Sequence, residues 1–345
     1  MRLLVARLKD GGIVANSQNK TGDGGMGLIG ALPARFRRER VLIVGCGDVG
    51  QRAAAVLGGG QRMLLRALTT SPDRRDTLRA QGITPLVGNL DQPRTLARLA
   101  GLATRVLHLA PPPSGEQTGG QLDPRTRALV RVLLRRSLPT TLVYGSTSGV
   151  YGDQQGGWVN EATPVQPSTP RAWRRVDAEA SVHWLGRVSG MRTTVLRIPG
   201  IYANNRDNGT PRARLERGTP VLCEADDVYT NHIHADDLAR ACALALWRAR
   251  AQRNVNVCDD TELKMGDYFD LAADLYQLPR PPRLPRDTAS AQLPLMLLSF
   301  MSESRRLHNQ RMKTELGLRL RYPTVREGLA VQAEAGESVV SNQAM

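Results

Sequence analysis

From residue 40 onward, short apolar runs rich in β-branched residues alternate with longer stretches in which polar positions mark one face. Val41–Val44 is such a run and predicts a strand buried on both faces, and the Ala-rich stretch Gln51–Leu57 behind it predicts a helix. The same alternation predicts strands at Arg62–Thr69, Ile83–Val87, Arg105–Ala110, Thr141–Tyr144 and Thr193–Ile198. Helices are predicted between them, near Asp73–Gln81 and over Pro93–Leu99, Pro124–Arg136 and Arg171–Gly186. Regular βα alternation predicts an α/β fold, a doubly wound parallel sheet with helices on both faces. Beyond residue 200 the pattern loosens into Pro- and Gly-bearing loops, which predicts a smaller substrate-facing lobe. The expected division is a disordered N-terminal extension over 1–39, a sheet domain over 40–200, a lobe over 201–335 interleaved with the sheet, and a tail over 336–345. An early start codon and an Arg-rich transit peptide stay open as alternatives for the extension.

The glycines after the first strand turn this pattern into chemistry. Gly45-x-Gly47-x-x-Gly50 lies between strand and helix, the context that a dinucleotide fingerprint requires. Gly45 permits the tight turn and Gly47 a close backbone approach to a pyrophosphate. Gly50 lets helix and strand pack, leaving the helix N-terminal N–H groups aimed at the phosphates, and Asp48 and Val49 join the candidate cofactor contacts. The expected fold is therefore Rossmann-type, with ligands beyond the carboxyl ends of the strands.

The ribose end of that site is read from the second strand. An NAD site ordinarily has Asp or Glu there, whereas this strand closes with Leu68-Thr69-Thr70-Ser71 and is followed by Arg74 and Arg75. Arginine pairs bidentately with a 2′-phosphate, so NADP is preferred and NAD is the alternative. The alternative reading of Arg74 and Arg75 is a solvated helix face.

Composition narrows the remaining classes. At 345 residues the chain can bury a full core, and no run approaches the 18–20 apolar residues of a membrane span. The formal charge of +15 invites a nucleic-acid partner, yet only four of the 47 basic residues are lysine and the arginines are spread along the chain. Aromatic content of 4% is too low for a base-stacking platform, and an acidic or phosphorylated small ligand accounts for local basic clusters. Cys46, Cys223, Cys242 and Cys258 lack metal spacing and read as reduced thiols of a cytoplasmic protein.

Several ordered motifs over about residues 40–330 resemble the extended short-chain dehydrogenase/reductase superfamily, the group of NAD-dependent epimerases and dehydratases. Gly88-Asn89-Leu90-Asp91 is similar to its turn beside the adenine, Leu107-His108-Leu109-Ala110 and Pro111 to its fourth-strand end, and Ser146–Gly152 to its Ser-Ser-x-x-Val-Tyr-Gly segment. Leu196–Tyr202 resembles the segment that carries Pro199 past the nicotinamide, and Asn231–Ala239 its Val-His-Val-x-Asp segment. The resemblance implies cofactor contacts from Asn89, Leu90, Ala110, Pro111 and Pro199, and a homodimer as the candidate assembly.

It also implies a Ser or Thr, a Tyr and a Lys at the reacting end. Thr147 stands at the hydroxyl position. Anchored on Glu179, the Tyr position holds Arg171 and the Lys position Arg175. None of the seven tyrosines has a lysine four residues on, so the usual proton relay is missing. Arg175 keeps the positive charge, but Arg171 stays protonated and cannot replace a phenol. Tyr151, Asp153, Tyr202 and His232 remain open as the acid, each also readable as a packing or turn residue. The glycine spacing departs from type too, since Val44 stands where this family usually places its first glycine. Two functions follow: an NAD(P)-dependent oxidoreductase or epimerase acting on a small polar or nucleotide-linked substrate, and a non-catalytic NADP-binding sensor on the same fold.

Overall fold

The computed structural model describes residues 38–58, 63–113 and 120–330. The tail over 336–345 and all but the last two residues of the extension over 1–39 lie outside the described residues. Seven parallel strands form the central sheet: β1 (Glu39–Val44), β2 (Met63–Thr69), β3 (Thr84–Val87), β4 (Arg105–His108), β5 (Thr141–Thr147), β6 (Arg192–Ile198) and β7 (Arg253–Asn256). Their order is β7-β6-β5-β4-β1-β2-β3. The order therefore reverses beside β1, where doubly wound sheets leave a ligand crevice.

Helices α1 (Asp48–Gly58), α2 (Arg75–Ala80), α3 (Pro124–Leu133), α4 (Pro170–Ser189), α5 (Arg212–Glu216), α6 (Ala235–Arg248) and α7 (Met265–Tyr276) follow in chain order. On one face of the sheet Ala53, Ala54 and Leu57 of α1 pack with Leu238, Ala241 and Leu246 of α6 against Ile43 and Leu107. On the other, Leu129 and Leu133 of α3 and Ala178, Val182 and Leu185 of α4 cover Leu42, Leu142 and Val195. A separate cluster of Tyr202, Leu215, Val221, Tyr268, Phe269 and Leu329 builds the lobe beyond residue 200.

The fold class is as the pattern predicts; several elements differ. Residues Pro93–Leu99 form a 3₁₀ helix, not an α-helix, with Pro93 in its first turn. Pro72 likewise sets a 3₁₀ turn, Pro72–Arg74, which shortens α2. Strand β5 runs three residues past Tyr144 because β6 pairs with Gly145, Ser146 and Thr147, overriding their weak strand propensity. Glu39, expected in the extension, opens β1 and pairs with Met63. Helix α4 starts where Thr169 accepts from the Ala172 N–H at 3.1 Å with Pro170 behind it, and ends at Gly190 in the left-handed region (φ 71°).

His108 at the end of β4 is fully buried, with Nε2 2.9 Å from the Thr126 hydroxyl. That hydroxyl donates to Asp123 at 2.6 Å, so the network assigns the imidazole proton to Nε2. Desolvation, then the charge of Arg175, holds its pKa down to about 3. The folded state thus excludes a proton that the unfolded chain binds near pH 6.5, so stability is complete above that pH and falls as pH drops toward 3. Each unit of such a shift is worth about 1.4 kcal/mol. Melting temperature should accordingly fall more steeply between pH 7 and 4.5 in the native protein than in His108→Gln; parallel slopes would refute the assignment.

Candidate active site

At the end of β1 the chain turns through Gly45, whose φ is 88°. A Cβ there would sit 2.3 Å from the Ala110 backbone nitrogen, and Leu109 and Ala110 both donate to the Val44 carbonyl, at 2.7 and 3.0 Å. The loop is thus welded to the end of β4. Gly50 is also closed in, its would-be Cβ 2.9 Å from the Gly45 carbonyl oxygen. Gly47 differs: nothing lies within 4 Å of a Cβ there, so the loop opens at the N-terminus of α1. A close steric cradle with open space above helix N–H groups fits a pyrophosphate.

Of the other predicted cofactor residues, Ala110 and Arg74 are hydrogen-bonded to this loop. Arg74 donates to the Cys46 carbonyl at 2.7 Å, which holds its guanidinium beside the glycine loop, and Thr70 is exposed at the end of β2. Asn89 accepts from the Asp91 N–H at 2.9 Å, and Leu90 is buried beneath it. Arg125 pairs with Asp91 at 2.6 Å and donates to the Pro111 carbonyl at 3.1 Å, joining the loops after β3 and β4. Val49 turns into the core beside α6. Asp48 meets Arg52 at 3.0 Å and Arg206 at 3.2 Å, while Arg52 reaches on to Asp236 at 2.5 Å and to the Asn205 side chain at 2.6 Å.

A cavity of about 620 Å³ lies at the carboxyl ends of β5 and β6. Thr147 and Pro199 form its floor, and the N-terminal turn of α4 brings Arg171 into its wall. Arg206, Arg214, His232, Tyr268, Phe269 and Arg305 line it from the lobe. The Thr147 hydroxyl oxygen accepts from the Gly149 N–H at 3.2 Å, which leaves its proton free for a ligand.

Residues 171, 175 and 179 share one face of α4, and the structure separates their tasks. Glu179 is buried and receives Ser146 at 2.5 Å and Arg197 at 2.8 Å. Arg175 is buried under β5, where it donates to the Gly145 carbonyl at 2.6 Å and the Tyr144 hydroxyl at 3.1 Å. It does not line the cavity; Arg171, one turn earlier, does. Tyr151 is wholly buried, its hydroxyl donating to Asn256 at 2.8 Å and its ring under the Arg197 guanidinium, so it too stands away from the cavity. Asp153 serves a turn, accepting from the Gln155 and Ser304 N–H groups.

Electrostatically the cavity is positive and poor in exchangeable protons. The Arg171 guanidinium lies below its ordinary value, first through desolvation and then through Arg175. Arg214 is lowered by desolvation and then by Arg217; its Nε and Nη2 are buried without an acceptor, and its guanidinium rests 4.3 Å from the centre of the Phe269 ring. His232 stacks on Tyr268 at 4.2 Å, and burial holds its pKa down to about 4, so it is neutral near pH 7. The hydroxyl of Tyr202 donates to the Thr324 carbonyl, and burial raises both Tyr202 and Tyr268. The sequence reading missed Arg214, Tyr268 and Phe269. In so arginine-rich a chain nothing local marks Arg214, which tertiary packing alone brings to the cavity.

Residues 41–258 match the NAD dependent epimerase/dehydratase family. A curated relative, the 3-diazoavenalumate denitrifying reductase of Streptomyces sp, is 28% identical over 233 residues, 66% of this chain and 76% of that protein. A functionally unknown conserved protein from Silicibacter pomeroyi is 30% identical, covers 87% of this chain and 99% of that one, and superposes with a TM-score of 0.71. The dTDP-glucose 4,6-dehydratase from Streptomyces venezuelae, solved with NAD bound, shares the fold at 19% identity with a TM-score of 0.69, covering 86% and 96% of the two chains. With its fingerprint loop, strand order and matched span, the chain belongs to the NAD-dependent epimerase/dehydratase family.

Proposed function

We propose that this protein is an NAD(P)-dependent oxidoreductase, with NADP preferred, acting on a small polar substrate in the cavity beside Thr147. The observation that carries the reading is the glycine cradle, open only above Gly47, at the same sheet edge as that cavity. Gly45, Gly47, Asp48 and Gly50 would hold the pyrophosphate, Asn89 and Leu90 the adenine side, and Ala110, Pro111 and Pro199 the approach to the nicotinamide. A bound nicotinamide supplies reversible two-electron transfer as hydride.

The chain's own residues supply the rest. Thr147 donates its free proton in a hydrogen bond and orients the reacting oxygen. Arg171 places a permanent positive charge in the same wall and stabilises negative charge there. It stays protonated, so the proton that accompanies reduction comes from water. Arg175 and Tyr151 act as positioning residues, fixing α4 and the turn after β5. Arg74, already beside the loop and with no carboxylate competing at the end of β2, favours a 2′-phosphate. The relative's printed name describes a reductase acting on an anion with a diazo group, which fits reduction as the direction. A second reading, a dinucleotide sensor without turnover, is favoured by Arg171 and Arg175 standing where the family's Tyr and Lys belong. Hydride-transfer assays over nucleotide sugars, aldehydes and organic acids separate the two: no turnover on any of them would leave the sensor.

Cofactor titration tests the cradle directly. Gly47→Ala should keep the native melting temperature and lose dinucleotide affinity, whereas Gly45→Ala should be destabilised by about 3 kcal/mol or more. Normal affinity in Gly47→Ala would show that the phosphates lie elsewhere. Arg74→Gln should weaken NADPH at least about tenfold and leave NADH within about twofold; equal losses would remove the 2′-phosphate role. Thr147→Val should abolish turnover at unchanged cofactor affinity, with Thr147→Ser restoring it, and an active valine variant would reject the hydroxyl's role.

A further inference from the structure

Two of the cavity's charges have no counter-charge among the described residues. Arg206 is answered by Asp48 at 3.2 Å and Arg305 by Glu303 at 2.7 Å. Arg171 and Arg214 have no carboxylate or other hydrogen-bond partner among the described residues, and two Arg214 nitrogens are buried without an acceptor. The Arg214 charge is half-buried and that of Arg171 stands exposed at the cavity wall, and the two together attract an anion.

The place of Arg171 says which part of a substrate the anion is. Through Glu179 and Arg175 the face of α4 is bolted to β5, and Arg171 emerges from that face beside Thr147, at the reacting end. The first turn of α4 adds its helix dipole there, with Thr169 and Ala172 in the same wall. His232 lines the cavity with Nδ1 buried and unpartnered, a further polar atom that the protein leaves for a ligand. Phe300 is exposed at the rim, a surface suited to a planar apolar body, and Phe269 lies within, buried with Arg214 over its ring.

We propose that the substrate is an organic acid whose carboxylate seats on Arg171 next to the reacting atom, with its apolar body toward Phe269 and Phe300. Arg214 supplies further positive potential without direct contact. The inference rests on the oxidoreductase reading, whose cofactor step is measured separately.

Calorimetric titration of the NADP-saturated protein with trans-cinnamate, cinnamamide and UDP tests it. Cinnamate should bind at least about tenfold tighter than its neutral amide, Arg171→Gln should remove that preference, and Arg171→Lys should recover part of it. Retained cofactor affinity in each variant shows that the fold and the dinucleotide site are intact. Equal binding of acid and amide, or an acid preference unchanged in Arg171→Gln, would overturn the proposal. So would UDP binding tighter than cinnamate and indifferent to Arg171, which would assign the cavity to a nucleotide. Failure to bind NADP at all would fall on the oxidoreductase reading instead.

Discussion

The buried pair of Glu179 and Arg197 holds the elements around Thr147 in register. Both side chains are almost fully enclosed, and each has further partners: Ser146 on Glu179, and the Tyr151 ring under Arg197. Tyr151 in turn reaches Asn256 on β7. One network therefore spans α4, β5, β6, β7 and the turn after β5. Removing one partner from such a pair leaves a buried charge uncompensated, at about 3–5 kcal/mol. Because Glu179 fixes the rotation and height of α4, the backbone position two turns earlier is set with it, and that position holds Arg171 at the cavity wall.

The same helix face keeps the family scaffold while carrying arginine on two successive turns. Arg175 uses the buried position for structure, binding the Gly145 carbonyl. Arg171 takes the open one, where a guanidinium adds field without an exchangeable proton. His232 is held neutral, and the Tyr202 hydroxyl faces a backbone carbonyl. What these groups offer a ligand is charge, dipole and shape. Transition-state stabilisation by such preorganised charge needs no titrating group near neutrality.

Much of this was legible in the chain. The βα alternation, the glycine loop and the motif order carried the strand sequence and the tight turn after β1, because each depends on local pattern. β7 was not legible: Arg-Asn-Val-Asn has no strand signature and is ordered by pairing with β6 along the edge. The 3₁₀ character of Pro93–Leu99 was hidden for the opposite reason, since its apolar spacing suits either helix. At the site, alignment found Thr147 and the substituted Arg171, but side-chain direction decided the rest. Tyr151 and Arg175 are adjacent to Thr147 and Arg171 in sequence and turned away from the cavity in space. Arg214, Tyr268 and Phe269 reach the cavity through lobe packing that no single segment encodes.

The clamp around Arg52 bears on how a ligand leaves. Arg52 and Asp48 sit on the first turns of α1, yet they hold Asn205, Arg206 and Asp236, and the segment around Arg206 walls the cavity. That wall cannot swing outward without parting these pairs from α1. Opening of the cavity is thereby coupled to the first turns of a helix on the far side of the glycine loop, through ion pairs and not through apolar packing.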